Sequence, residues 1–229
     1  MMRLITSAGV PVLCAAAVSV LSAQSAAPAA NNEPHHNRLL YTNDVRMFDV
    51  TIPPGEATAD HVHEYDMVTL LIGDGTLRIS RNGQDVAAPA PNARGSVIVT
   101  EHTGAPATYR VQNTGTTEYH ALEVENVRDD GKWVTPMPMT VEGTSVLQQT
   151  RAFTVYDEHL KPDMGEVRHA HTWSTIIILL EGAFEHGGIG GEEPVRYRRP
   201  GQWVSIPRAA SHYVSAVDRD AHIIEIEAR

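Results

Sequence analysis

Residues 48–63, FDVTIPPGEATADHVH, and residues 156–171, YDEHLKPDMGEVRHAH, align without a gap at a spacing of 108. The aromatic, the aspartate, an aliphatic residue, a proline and both histidines coincide, so His61 and His63 fall on His169 and His171. A second pair of segments repeats as well: YHALEVEN from Tyr119 resembles AHIIEIEA from Ala221, placing His120, Glu123 and Glu125 on His222, Glu225 and Glu227. Self-similarity at a fixed offset is the mark of a duplicated unit. The chain therefore reads as two homologous domains in tandem.

Each unit reads as all-β. Short runs such as VRMFDVTI, DMVTLLIG, GTLRIS, GSVIVT and ATYRVQ are separated by PPGE, GDG, RNGQD, PNARG and NTGTTE. β-branched runs punctuated by Gly, Pro, Asn and Asp predict an antiparallel sandwich or barrel. No segment beyond the N-terminal region has a convincing helical period.

That N-terminal region, MMRLITSAGVPVLCAAAVSVLSAQS, is one arginine, an apolar run and small residues, the pattern of a secretory leader cleaved near Ser25. Pro11 and the abundance of Ala and Ser argue against a membrane span. No stable membrane anchor is expected, and the location implied is periplasmic or secreted. Residues 26–37, with His35 and His36, read as a flexible tether with solvated histidines. The N-terminal domain then spans 38–127, a linker 128–148 and the C-terminal domain 149–229.

Cys14 is the only cysteine and lies in the leader, so a mature chain has no thiolate to offer a metal. The formal charge of −10 and the lack of a basic stripe exclude nucleic acid as a natural partner. Twelve histidines, all beyond the leader, direct attention to nitrogen ligands. In a strand, residues i and i+2 share a face, so each His-x-His pair aims two imidazoles at one point. A third ligand from another strand would complete a site for a divalent ion.

These residues resemble the cupin family. GEATADHVH, Gly55 to His63, fits its first motif, a glycine, five residues and His-x-His; GQWVSIPRAASH, Gly201 to His212, fits its second, with Pro207 and His212 in place. The resemblance covers the chain beyond the leader as a bicupin, two small jelly-roll barrels. It implies a metal held by His169, His171 and His212 in the second barrel. The glutamate position of the motif falls on Thr175 and the asparagine position on Ala216, so the second barrel looks like a three-histidine centre. Cupins of that kind include iron-dependent dioxygenases.

The first barrel looks degraded. Its last histidine position falls on Tyr109 and its acid position on Met67 or Asp66. His61, His63 and Asp66 form a weaker second set, with His102 and His120 as further contributors, although a purely structural role for this half is the favoured reading. Glu181 and His186 are candidates for proton transfer at the barrel mouth. On the last strand, Glu225 and Glu227 share one face and His222, Ile224 and Ile226 the other; an inward apolar face would take His222 with it.

The expected function is that of a metal-dependent enzyme acting on a small oxygenated molecule, most like a dioxygenase. Iron(II) is the favoured ion in that case, with Zn, Ni, Cu or Mn as alternatives. A non-oxidative isomerase or lyase on a sugar-acid or keto-acid, and a secreted module binding a metal or small ligand without turnover, are the other two readings. A homodimer is expected from the resemblance.

Overall fold

The computed structural model describes residues 27–86, 90–128, 141–188, 191 and 193–229. The proposed leader and most of the proposed linker lie outside the described residues. The first half contains β1 (His36–Tyr41), β2 (Val45–Ile52), β3 (His61–His63), β4 (Met67–Leu71), β5 (Gly75–Arg81), β6 (Gln84–Asp85), β7 (Ala90–Asn92), β8 (Val97–Thr100), β9 (Ala107–Asn113) and β10 (Tyr119–Asn126). The second contains β11 (Thr144–Gln149), β12 (Phe153–Leu160), β13 (Val167–Ala170), β14 (Ser174–Glu181), β15 (Phe184–Gly187), β16 (Val195–Tyr197), β17 (Trp203–Ile206), β18 (Ser211–Ala216) and β19 (Ala221–Ala228).

The two halves have the same topology. One five-stranded sheet runs β1-β2-β10-β4-β8 and its counterpart β11-β12-β19-β14-β17; the facing sheets are β3-β9-β5-β6, with β7 on β5, and β13-β18-β15-β16. Register repeats too: His36 pairs with Val50 and Thr144 with Glu158, while His61 pairs with Tyr109 and His169 with His212. Tyr109 therefore occupies the place of His212, as the motif alignment expects. The all-β architecture expected from the repeat and from the cupin resemblance is the one found, although the two facing sheets of each half do not close into a barrel.

The central strands of each five-stranded sheet are buried on both faces, which the sequence pattern alone does not reveal. One face lines its own half: Phe48, Val50, Ile52 and Leu71 in the first, Ile177, Leu179 and Ile223 in the second, where Phe184 of the facing sheet packs against them. The other faces meet across the molecule. Met47, Val68, Leu70, Leu122 and Val124 pack there with Phe153, Val155, Ile176, Ile178, Ile224 and Ile226 in one continuous core. Polar contacts close its rim, including Ser174 Oγ donating to Asp44 at 2.6 Å and Asn126 Nδ2 donating to the Ala152 carbonyl at 3.0 Å.

The expected tether and linker differ from what is found. Residues 30–32 form a 3-10 turn, the Val62 N–H donates to the Pro28 carbonyl at 2.8 Å, and His36 begins β1 in a buried position. Residues 144–149, mostly assigned to the linker, form the edge strand β11. In both places the segment lacks an alternating apolar pattern because it pairs at a sheet edge; β1 buries His36, whereas the residues of β11 are half-buried or exposed.

Candidate metal centre

In the second half β13 delivers His169 and, one residue past its end, His171, while β18 delivers His212 opposite His169. A fourth group completes the cluster. Glu225, from the middle of β19, offers a carboxylate oxygen within 4.8 Å of a nitrogen from each of the three histidines, all of these atoms lying within that distance of one another. The acid absent from the motif position arrives from the neighbouring strand. Thr175 is buried at the expected place on β14 and its hydroxyl donates to the Trp173 carbonyl instead.

Glu225 is inside because β19 has its apolar face between the two halves. Ile224 and Ile226 belong to the inter-barrel core, so Ala221, Ile223, Glu225 and Glu227 turn into the barrel. His222 goes with the isoleucines' face to the molecular edge, where its Nε2 lies 2.5 Å from Asp157 Oδ1 and its ring stacks on His159. The face with Ile224 and Ile226 is thus not the inward one, and His222 stays outside the pocket with it.

The centre is buried and its polar valences are unspent. His212 and Glu225 are fully buried. The Nε2 atoms of His169 and His171 stand 3.4 and 3.0 Å from the two Glu225 oxygens but off the line of a hydrogen bond. Both nitrogens of His169 and of His212, Nε2 of His171 and both oxygens of Glu225 lack hydrogen-bond partners. Each such buried group costs about 1–3 kcal/mol, a cost a bound cation would remove. Burial pushes His212 down, helped by the neighbouring His169, to about 3, so its imidazole stays neutral and able to coordinate. Burial would raise Glu225, but attraction to His169 and His171 outweighs it and holds the carboxyl at about 2.

Glu158 is a further buried acid that the sequence did not mark. Thr144 Oγ1 donates to its Oε1 at 2.8 Å, while its Oε2 has no partner. Burial, and after it the charge of Glu225, push its pKa well above the ordinary range. Of the two expected proton-transfer residues, His186 stands with its ring 5.3 Å from that of His212. Glu181 is exposed at the far end of β14, beside a surface cleft it shares with Arg198 and His222.

The first half is organised differently from the set His61, His63 and Asp66. Asp66 turns away, accepting the backbone N–H groups of His102 and Thr103 at 2.7 and 2.8 Å and a contact from Arg151 at 3.2 Å. His36 takes its place beside His61 and His63. His102 stacks against His63 with centroids 5.7 Å apart, and His120 pairs with Asp49 nearer the surface.

Two sandwiches of this topology, each gathering histidines between its sheets, define the tandem cupin fold. Among solved structures, salicylate 1,2-dioxygenase from Pseudaminobacter salicylatoxidans aligns over 84% of this chain and 75% of its own, with a TM-score of 0.62 and 12% identity. A variant of that enzyme in complex with gentisate aligns over 88% and 76%, with a TM-score of 0.65 and 11% identity. A cupin 2 conserved barrel domain protein from Leptotrichia buccalis aligns over 85% and 88%, with a TM-score of 0.57 and 12% identity. No protein-family model matches the sequence, and no curated protein does. Among the described residues no helix is long and apolar enough to cross a membrane.

Proposed function

We propose that the chain is an exported metal-dependent oxidoreductase of dioxygenase type, acting on a small oxygenated organic molecule at a centre formed by His169, His171, His212 and Glu225. The observation that carries this is the convergence of three imidazoles and one carboxylate, buried and without hydrogen-bond partners at most of their polar atoms. The structural likeness to salicylate 1,2-dioxygenase supports the reaction class and makes hydroxylated aromatic acids the first substrates to try.

His169, His171, His212 and Glu225 would hold a divalent first-row ion, which would supply positive charge to draw in a substrate's oxygen atoms and dioxygen. Iron(II) is the ion favoured for this chemistry, with Zn, Ni, Cu and Mn as the alternatives. The protein's own part is to fix the ligands on three strands, to exclude bulk water with Val167, Ile177, Phe184 and Val214, and to hold a proton. Glu158 is the group suited to that last role, since burial and, after it, the charge of Glu225 push its carboxyl well above the ordinary range.

The test is metal content and oxygen uptake on the iron-loaded chain with salicylate, gentisate, diketones and thiols, for wild type, His212→Ala and Glu225→Ala. Uptake that depends on one of these substrates and is lost in both variants is the expected result. Metal content unaffected by either substitution would overturn the assignment of the centre. Metal bound without turnover of any substrate would instead favour a binding module, a reading supported by the full burial of His212 and Glu225.

A further inference from the structure

The first half contains a second constellation that the family motifs do not describe. His36 comes from β1, the strand that opens the fold, and His61 and His63 from β3. One nitrogen from each lies within 4.8 Å of the others. Glu123, the repeat counterpart of Glu225, stands with Oε2 3.3 Å from His36 Nε2, outside hydrogen-bond geometry and without another partner. All four are buried.

The orientation of the three rings is what makes this a coordination site. His36 Nδ1 is 2.8 Å from Glu33 Oε2, His61 Nδ1 is 2.9 Å from the Ala59 carbonyl, and His63 Nδ1 is 3.2 Å from Glu125 Oε1. Carboxylates and carbonyls accept, so each Nδ1 carries a hydrogen and Nε2 is the nitrogen left to bind an ion, which on His36 would displace a proton. Histidines that bind metals are held in this way, with the far nitrogen donating to a carboxylate or carbonyl. Glu33 is itself fixed, accepting the backbone N–H groups of His35 and Ala59 at 2.7 and 3.1 Å. In the second half, by contrast, Nδ1 of His169 and of His212 has no such partner. The half whose motifs look eroded has the better oriented imidazoles.

We propose that the N-terminal barrel holds a second divalent first-row ion on His36, His61, His63 and Glu123, oriented by Glu33, Glu125 and the Ala59 carbonyl. The same histidines and Glu123 line a cavity of about 100 Å³ whose other walls include Val50, Ile52 and Leu71. An ion there presents a free position to a small, largely apolar space, enough for water or a ligand of a few atoms. The ligand set draws on the N-terminal strand in place of the motif position occupied by Tyr109, and it does not depend on the centre in the other half.

The test is a titration of the chelator-stripped full chain with Co(II), followed by its visible spectrum, alongside elemental analysis after loading with Zn(II). Two ions per chain are expected, falling to one in His36→Gln and to one in His212→Ala. Glu33→Gln, which leaves all four ligands in place, should weaken one of the two ions about 10–100-fold and spare the other. Thermal unfolding verifies that each variant is folded; should His36→Gln fail to fold, His61→Gln takes its place. One ion, lost in His212→Ala and unchanged in the His36 and Glu33 variants, would overturn this second site and leave the proposed function standing. One ion lost only in His36→Gln would do the reverse.

Discussion

Leu70→Ala tests whether the two halves share one core. Leu70 is fully buried on β4 and packs in the cluster that joins the barrels. Removing three carbons at about 0.8 kcal/mol each costs roughly 2.4 kcal/mol. A residual void of about 50 Å³ adds about 1.2 kcal/mol at about 24 cal/mol per Å³, for a total near 3.5 kcal/mol. The assay uses an asymmetry of composition: no tryptophan falls within residues 38–127, and Trp173 and Trp203 lie in the second half. Urea unfolding followed by tryptophan fluorescence therefore watches the second half while the lesion sits in the first. With a urea dependence of about 2–3 kcal/mol per molar, the fluorescence midpoint should fall by more than about 1 M, in step with circular dichroism. A fluorescence midpoint unchanged while circular dichroism gains a separate early step would refute a common core.

Three other outcomes follow from the sites. Thr175→Ala should leave metal content unchanged, whereas Glu225→Gln should lower it in a folded protein, both read by elemental analysis; a loss in the first variant would return the ligand role to the motif position. Asp66→Asn should cost about 1–3 kcal/mol in thermal or urea unfolding, because a buried acceptor of two backbone N–H groups is weakened, without changing metal content. The metal-free chain should be most stable near neutrality. Burial lowers His61 and His102 to about 4 and His212 to about 3, so below the ordinary value of 6.5 the unfolded chain takes up protons that the folded chain refuses, and stability falls with pH. Burial would lower His36 too, but Glu123 and Glu33 raise it to about 9, so its stabilising contribution is complete below 6.5 and is lost as pH rises through 9. A melting temperature that is flat from pH 4 to 9 after chelation would contradict both signs.

The duplication, the strand content and the three motif histidines were legible because they depend on spacing, and spacing survives in the sequence. Facing was not. Alternation on β19 tells that Glu225 and Ile224 point opposite ways, but which way is inward depends on what covers the back of the sheet, and here a second barrel does. His36 was hidden for another reason: its segment has no apolar period, and its burial depends on Glu33 close by in sequence and Glu123 far away. Asp66 stood at a plausible distance from His63 in sequence, yet the turn that follows β3 sends its carboxylate to the backbone of residues 102 and 103. The spacing Glu33 to His36 to His-x-His, with a glutamate at the matching place in the last strand of each repeat, is the signal by which the first site could have been found.

The alternation along β19 also limits how this chain can vary in length. Ile224 and Ile226 cement the halves while Glu225, between them, serves the centre. A single inserted or deleted residue early in this strand would reverse every side chain after it, pressing a carboxylate into the seam and an isoleucine onto the imidazoles. Two functions would be lost to one indel, and no point substitution could recover them. β10 is under the same constraint through Leu122, Glu123 and Val124. Length changes in homologues of this chain should therefore collect in the hairpins and never within these two strands, unless a neighbouring bulge, such as the one between Leu179 and Glu181, absorbs the extra residue.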